Sequence, residues 1–130
     1  MGKNISDPLN LQTLKSDFEY LCTNYFYREN YLKIDRKPFV YLYDSAAFIG
    51  DVNSTIKELR DYMRLLGYDI FLLSDHIHPH VLPTSNKEWE ERARQFDGIT
   101  SWLGGYSENG DYIGGSYQEQ IKILYNLWEE

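Results

Sequence analysis

Phe39-Val40-Tyr41-Leu42-Tyr43 is the stretch whose reading decides the fold. All five residues are apolar or aromatic. A strand wetted on one face alternates apolar with polar side chains, whereas a strand covered on both faces reads as a continuous apolar run. Lys37-Pro38 before the run and Asp44-Ser45 after it are turn chemistry. The stretch therefore predicts a doubly buried strand over 38–44. Asp69-Ile70-Phe71-Leu72-Leu73, closed by Ser74-Asp75, has the same character and predicts a second strand over 69–75. Ile99-Thr100-Ser101-Trp102, after an Asp97-Gly98 turn, predicts a third over 98–102.

Helical patterns separate these runs. Asp7 caps a first helix with Pro8 at its first position, where the missing N–H costs nothing. Its stripe is Leu11, Leu14, Phe18, Leu21 and Tyr25. A second helix starts near 53–55, with Thr55 and Glu58 at capping-box spacing. Its stripe is Ile56, Leu59, Met63 and Leu66, and Gly67 stops it. A third opens at Ser85 with Glu88 three residues on and carries Trp89, Arg92, Ala93 and Phe96 along one side. A fourth starts near Ser116, with Tyr117, Ile121, Leu124 and Trp128.

Strands separated by helices pair in parallel through right-handed crossovers. The order α-β-α-β-α-β-α is thus an α/β fold, either a doubly wound sheet or a barrel. A full barrel takes about 250 residues, and this chain has 130. Three strands are few for either architecture, so the expectation is one partial α/β domain over 1–130.

Composition narrows the function classes. The net charge is −7 and the pI about 4.9. No basic run exceeds two residues, so neither nucleic acid nor an anionic membrane surface is an expected partner. No apolar run approaches a bilayer span and the first residues lack a signal-peptide core, so the default location is cytoplasmic. Cys22 is the single cysteine, which leaves no disulfide framework. Asn4-Ile5-Ser6 and Asn53-Ser54-Thr55 match the glycosylation pattern, which means little without secretion.

Ligands of parallel α/β folds sit at the C-terminal ends of the strands. That rule selects Tyr43-Asp44-Ser45, the stretch from Ser74 to His80, and Ser101-Trp102 with the loop up to Tyr117. Asp44 suits a ligand hydroxyl, or else an Asx turn. Trp102, Tyr106, Tyr112 and Tyr117 surround a Gly-rich loop, where flat aromatic faces suit stacking on sugar rings; of the 12 Tyr, Tyr43 and Tyr106 join Asp44, His76 and Trp102 as expected substrate contacts. His76-x-His78-x-His80 places alternate imidazoles on one side of an extended segment, so Asp75, His76 and His78 form an alternative metal set, though no further His completes a zinc site. No phosphate or dinucleotide loop follows a strand, and no cofactor is expected. Glu88, Glu90 and Glu91 lie in the first turns of a helix, where acids favour the dipole.

Tyr25-Phe26-Tyr27-Arg28, a spacer, then Lys37-Pro38-Phe39-Val40-Tyr41-Leu42-Tyr43-Asp44 resembles the family 99 glycoside hydrolases, the endo-α-mannosidases and their bacterial relatives. Phe96-Asp97-Gly98-Ile99-Thr100-Ser101-Trp102 is similar to that family's "FDGxYxY" strand, and Gly114-Gly115-Ser116 to its "YGS" segment. The ordered motifs cover residues 20 to 128. Related barrel domains occur in WbsX-type polysaccharide-biosynthesis proteins. The resemblance implies a (β/α)8 barrel that acts on α-mannosidic links with retention and without a metal. It makes the partial domain a (β/α)8 TIM-barrel segment of a longer barrel. It suggests Asp44, His76 and Trp102 as sugar contacts. The family's catalytic "NEWxEGTxIE" motif is absent, and Asn86-Lys87-Glu88-Trp89-Glu90 is an echo in the wrong place. The expected function is therefore glycan binding of the mannose type, with no catalytic residue in this chain. The alternatives are a metal-dependent hydrolase fragment and a non-catalytic assembly module, in which two partial barrels close one another as a homo-oligomer.

Overall fold

A computed structural model describes residues 3–77 and 87–101, apart from the side chains of 46, 76, 77, 89, 90 and 101. The elements are helices α1 (Pro8–Leu21), α2 (Val52–Leu65) and α3 (Lys87–Ala93), and strands β1 (Lys33–Ile34), β2 (Lys37–Leu42), β3 (Phe71–Ile77) and β4 (Gly98–Ser101). They form one sheet in the order β1-β2-β3-β4. β2, β3 and β4 run parallel, with Val40 opposite Leu72 and Ser74 opposite Ile99. β1 pairs antiparallel with β2, so the sheet is mixed. This hairpin is not visible in the sequence, because Asp35-Arg36 lacks the Asn-Gly signature of a two-residue turn. Both residues nonetheless adopt positive φ, 49° and 66°.

Helices cover one face of the sheet. Phe18 of α1 and Ile56, Leu59 and Met63 of α2 close over Val40, Ile70 and Leu72, and Ile5, Phe26, Val52 and Phe96 complete the core. The Asp7 carboxylate caps α1 by accepting from Leu9 N at 3.0 Å and Asn10 N at 3.4 Å. After Leu21 the chain widens into a π-helical turn, Cys22–Phe26. A wider turn takes more residues to come round. The inward position therefore passes from Tyr25 to Phe26, which is fully buried and meets Tyr31 and Tyr68 edge-on.

The cap of α2 is Asp51, whose Oδ1 accepts from Ser54 N at 3.0 Å. Thr55 lies one turn inside the helix and is buried. Leu66 is outside the core, and the inward stripe is Val52, Thr55, Ile56, Leu59 and Met63. Upstream of Asp51, an N-terminal bracket holds the loop in place. Asn4 bridges Ile49 in parallel, Ile5 N donates to Ile49 O at 3.1 Å, and Ile49 N donates to Lys3 O at 3.0 Å. The start expected for α3 at Ser85 and the expected fourth helix lie outside the described residues.

The opposite face carries Phe39, Tyr41, Phe71 and Leu73, none of them fully buried. Phe39 and Phe71 stack at 5.9 Å. Gly98 pairs with Leu73, and a Cβ there would stand 2.8 Å from Leu73 Cδ1. At the lower end of the sheet Arg60 ties three segments together. Its Nη1 donates to Ile70 O (3.1 Å), and its Nη2 donates to Gln95 O (2.9 Å) and Asp97 Oδ2 (2.8 Å). Asp97 Oδ2 also accepts from Leu72 N at 2.9 Å, and Asp97 N donates to Leu72 O at 2.9 Å. No described helix is long and apolar enough to cross a membrane.

Candidate functional site

Because β2 and β3 run parallel, their C-terminal ends lie side by side and bring Tyr43-Asp44-Ser45 against Ser74-Asp75. Asp75 is 5% exposed. A buried carboxylate must be hydrogen-bonded to persist, and both oxygens are. Oδ2 accepts from the Asp44 amide and Oδ1 accepts from Ser45 Oγ at 2.9 Å.

The proton positions around Ser45 follow from valence. A hydroxyl has one hydrogen and two lone pairs. Ser45 gives its hydrogen to Asp75, so it accepts from Asp75 N at 3.2 Å and from Ser74 Oγ at 2.8 Å. Ser45 and Ser74 are both fully buried. Strand pairing shifts register between Ser74 and Ile77, an irregularity that re-aims side chains at a strand end.

Asp44 sits in the left-handed region, φ 56° and ψ 25°. Asp tolerates that conformation better than most residues. Its carbonyl accepts from Ala47 N at 3.1 Å, while its side chain is exposed and caps nothing in the short 3₁₀ turn that follows. The side-chain cap expected of an Asx turn is therefore not formed: the Asp44 backbone shapes the turn and its carboxylate faces solvent. Tyr43 is 58% exposed and lies edge-on to Tyr41, ring centroids 6.4 Å apart. The rim thus presents two tyrosine rings and one free-facing carboxylate above a buried acid.

Burial, most of all, raises the Tyr41 hydroxyl above its ordinary pKa, with the charges on Asp75 and on an ionised Tyr43, and a hydrogen bond with Asp75, adding to it. Tyr31 is raised by burial alone, its hydroxyl donating to Phe39 O at 2.7 Å. Both groups hold their proton more tightly folded than unfolded. Their contribution is complete below the unfolded value, about pH 10, and is lost as pH rises through the folded values. Denaturation midpoints measured from pH 8 to 11 should fall at the alkaline end, and the Tyr31→Phe/Tyr41→Phe double variant should flatten that fall. An unchanged alkaline slope in the double variant would contradict this assignment.

Of the residues expected at the site, the structure brings Tyr43, Asp44 and Asp75 together. His76 has its backbone at the end of β3, and its imidazole is among the side chains not described. Trp102, Tyr106 and His78 lie outside the described residues. Among the described residues no group of three His, Cys, Asp or Glu is placed to hold a metal. Asp75, the acid of the alternative metal set, has its oxygens engaged by the Asp44 amide and Ser45.

The strand-end rule includes Ser45 and Ser74 in its stretches without giving either a role, and it passes over Tyr41. A legible signal existed: Asp44-Ser45 and Ser74-Asp75 are Ser–Asp pairs at two adjacent parallel strand ends. No family model matches the chain, and searches of curated proteins and of solved structures likewise find no match.

Proposed function

We propose that this chain is a (β/α)-barrel segment whose strand-end rim binds a glycan of the mannose type and which contributes no catalytic acid pair of its own. The observation that carries this reading is the rim itself. Tyr41 and Tyr43 offer flat apolar faces that suit sugar C–H groups, and the Asp44 carboxylate stands beside them to accept from sugar hydroxyls. Two features support the barrel. Three parallel strands share one face packed by helices, and the other face carries Phe39, Tyr41, Phe71 and Leu73 rather than polar residues. Parallel sheets are covered on both faces, and side chains from neighbouring strands fill the interior of a barrel.

The test is a titration of a mannose-rich oligosaccharide into isotope-labelled chain. The Tyr41 and Tyr43 ring signals and the Asp44 amide should move saturably, and Tyr43→Ala should weaken binding roughly 3- to 10-fold, the value of one aromatic contact. Rim signals that stay in place at saturating sugar, in a sample otherwise folded, would overturn the reading.

A further inference from the structure

At the opposite end of the parallel strands, a cleft of about 620 Å³ opens under the β1–β2 hairpin. That is the size of a small-molecule pocket. Fully buried Phe26 lines it, flanked by Tyr68 at 5.4 Å, and Tyr27 lines it as well, 62% exposed. Lys33, Arg36 and Lys37 also line it. Lys33 Nζ donates to Arg28 O at 3.3 Å, which uses one of its three hydrogens. Lys37 pairs with Asp69 at 3.3 Å, and Arg64 approaches the same carboxylate at 3.7 Å. Along the cleft wall, with Asp35 and Asp69 as the acids, cations outnumber carboxylates by three to two. This excess stands out in a chain of net charge −7.

The turn supplies an independent argument. Arg36 occupies a left-handed position, φ 66°. Glycine is the residue of choice there, and arginine is strained. Folding alone favours glycine at 36, so an arginine held there at the wall of a cleft points to use of its guanidinium.

We propose that this cleft binds the phosphate group of a small, ring-bearing phosphate monoester. Arg36 would take the phosphate oxygens with its planar fork, Lys33 and Lys37 would add charge, and Tyr27 and Tyr68 would contact the ring. The site is separate from the rim and does not depend on the glycan reading.

The experiment uses the full chain with four probes: glucose 6-phosphate, adenosine monophosphate, inorganic phosphate and glucose. Both esters should shift the amides of residues 33–37 and Tyr68, with tighter binding than inorganic phosphate, and glucose should leave these signals unmoved. The relative affinity of the two esters separates a sugar ring from a base. Arg36→Gly should weaken ester binding by about tenfold, the worth of one charge-assisted contact, while raising the denaturation midpoint. Because that variant relieves the turn, loss of binding cannot be ascribed to unfolding. Arg36→Lys should fall between the two. No shift from either ester at about 10 mM, weaker than a simple millimolar site, would overturn the proposal. So would an Arg36→Gly variant that binds the esters as well as the parent chain.

Discussion

Arg60→Ala should lower the stability of this chain by about 3 kcal/mol, the range for breaking a largely buried ion pair that also carries hydrogen bonds. The side chains of Arg60 and Asp97 are only 15% and 25% exposed. Removing the guanidinium strands three acceptors, Ile70 O, Gln95 O and the Asp97 carboxylate. The carboxylate keeps one donor, Leu72 N, which holds the loss below that of a bare buried charge. The damage falls where α2, the start of β3 and the entry to β4 meet. Guanidinium denaturation reads it directly: the midpoint should drop with the slope unchanged. Asp97→Asn should cost less, about 1–2 kcal/mol, because its amide oxygen still accepts from Leu72 N. The double variant should cost less than the sum of the two, as residues in one network do. A loss under about 1 kcal/mol for Arg60→Ala would place this pair with ordinary surface pairs.

Gly50→Ala should cost nearly as much, by a different route. Gly50 has φ +90°, where a side chain is strained, and a Cβ would stand 2.2 Å from Asn4 Oδ1 and 2.3 Å from Ser6 Oγ. Those atoms are already committed. Asn4 Oδ1 accepts from Ser6 N at 3.1 Å and Ser6 Oγ at 2.7 Å, and Ser6 Oγ accepts from Asp51 N at 3.2 Å. An added methyl would open the bracket that joins the N-terminus to the cap of α2. Strain of about 1 kcal/mol and two or three lost hydrogen bonds together amount to about 3 kcal/mol. Gly67 is the internal control. It has nearly the same φ, +94°, but nothing within 4 Å of an added Cβ. Gly67→Ala should therefore cost only the strain, about 1 kcal/mol. Equal losses at the two positions would show that the bracket yields freely.

Sequence reading reached the features whose causes are local and missed those settled by distant parts of the chain. Asp7-Pro8 is a self-sufficient helix start, and it caps α1. The apolar runs from Phe39 and from Phe71 lie in neighbouring parallel strands, but only one face is buried: Val40 and Leu72 are in the core, whereas Tyr41 is exposed and Phe39, Phe71 and Leu73 are half-buried. For α2, Thr55-x-x-Glu58 offered a start as good as Asp51 on local grounds. What selects Asp51 is the bracket from residues 3–6, more than forty positions away. The exchange of Tyr25 for Phe26 depends on a π turn that a helix of uniform pitch does not anticipate. Arg60 reads as a surface charge on an amphipathic helix, because its partners at 70, 95 and 97 come together only after the crossover forms. At the candidate site, Tyr43 and Asp44 were legible from the strand-end rule. The same rule reaches Ser45 and Ser74 as positions but gives them no role, because a small hydroxyl gains meaning only from the carboxylate or hydroxyl placed opposite it.

The loop from Tyr43 to Asp51 is held at three places: by Asp75 at Asp44 and Ser45, by Arg92 at the Phe48 carbonyl, and by the N-terminal bracket at Ile49 and Asp51. Its backbone freedom is therefore lost when the chain folds and not when something docks against it. A molecule that meets this surface finds it preorganised, so the free energy of contact goes into affinity and little of it into arranging the loop.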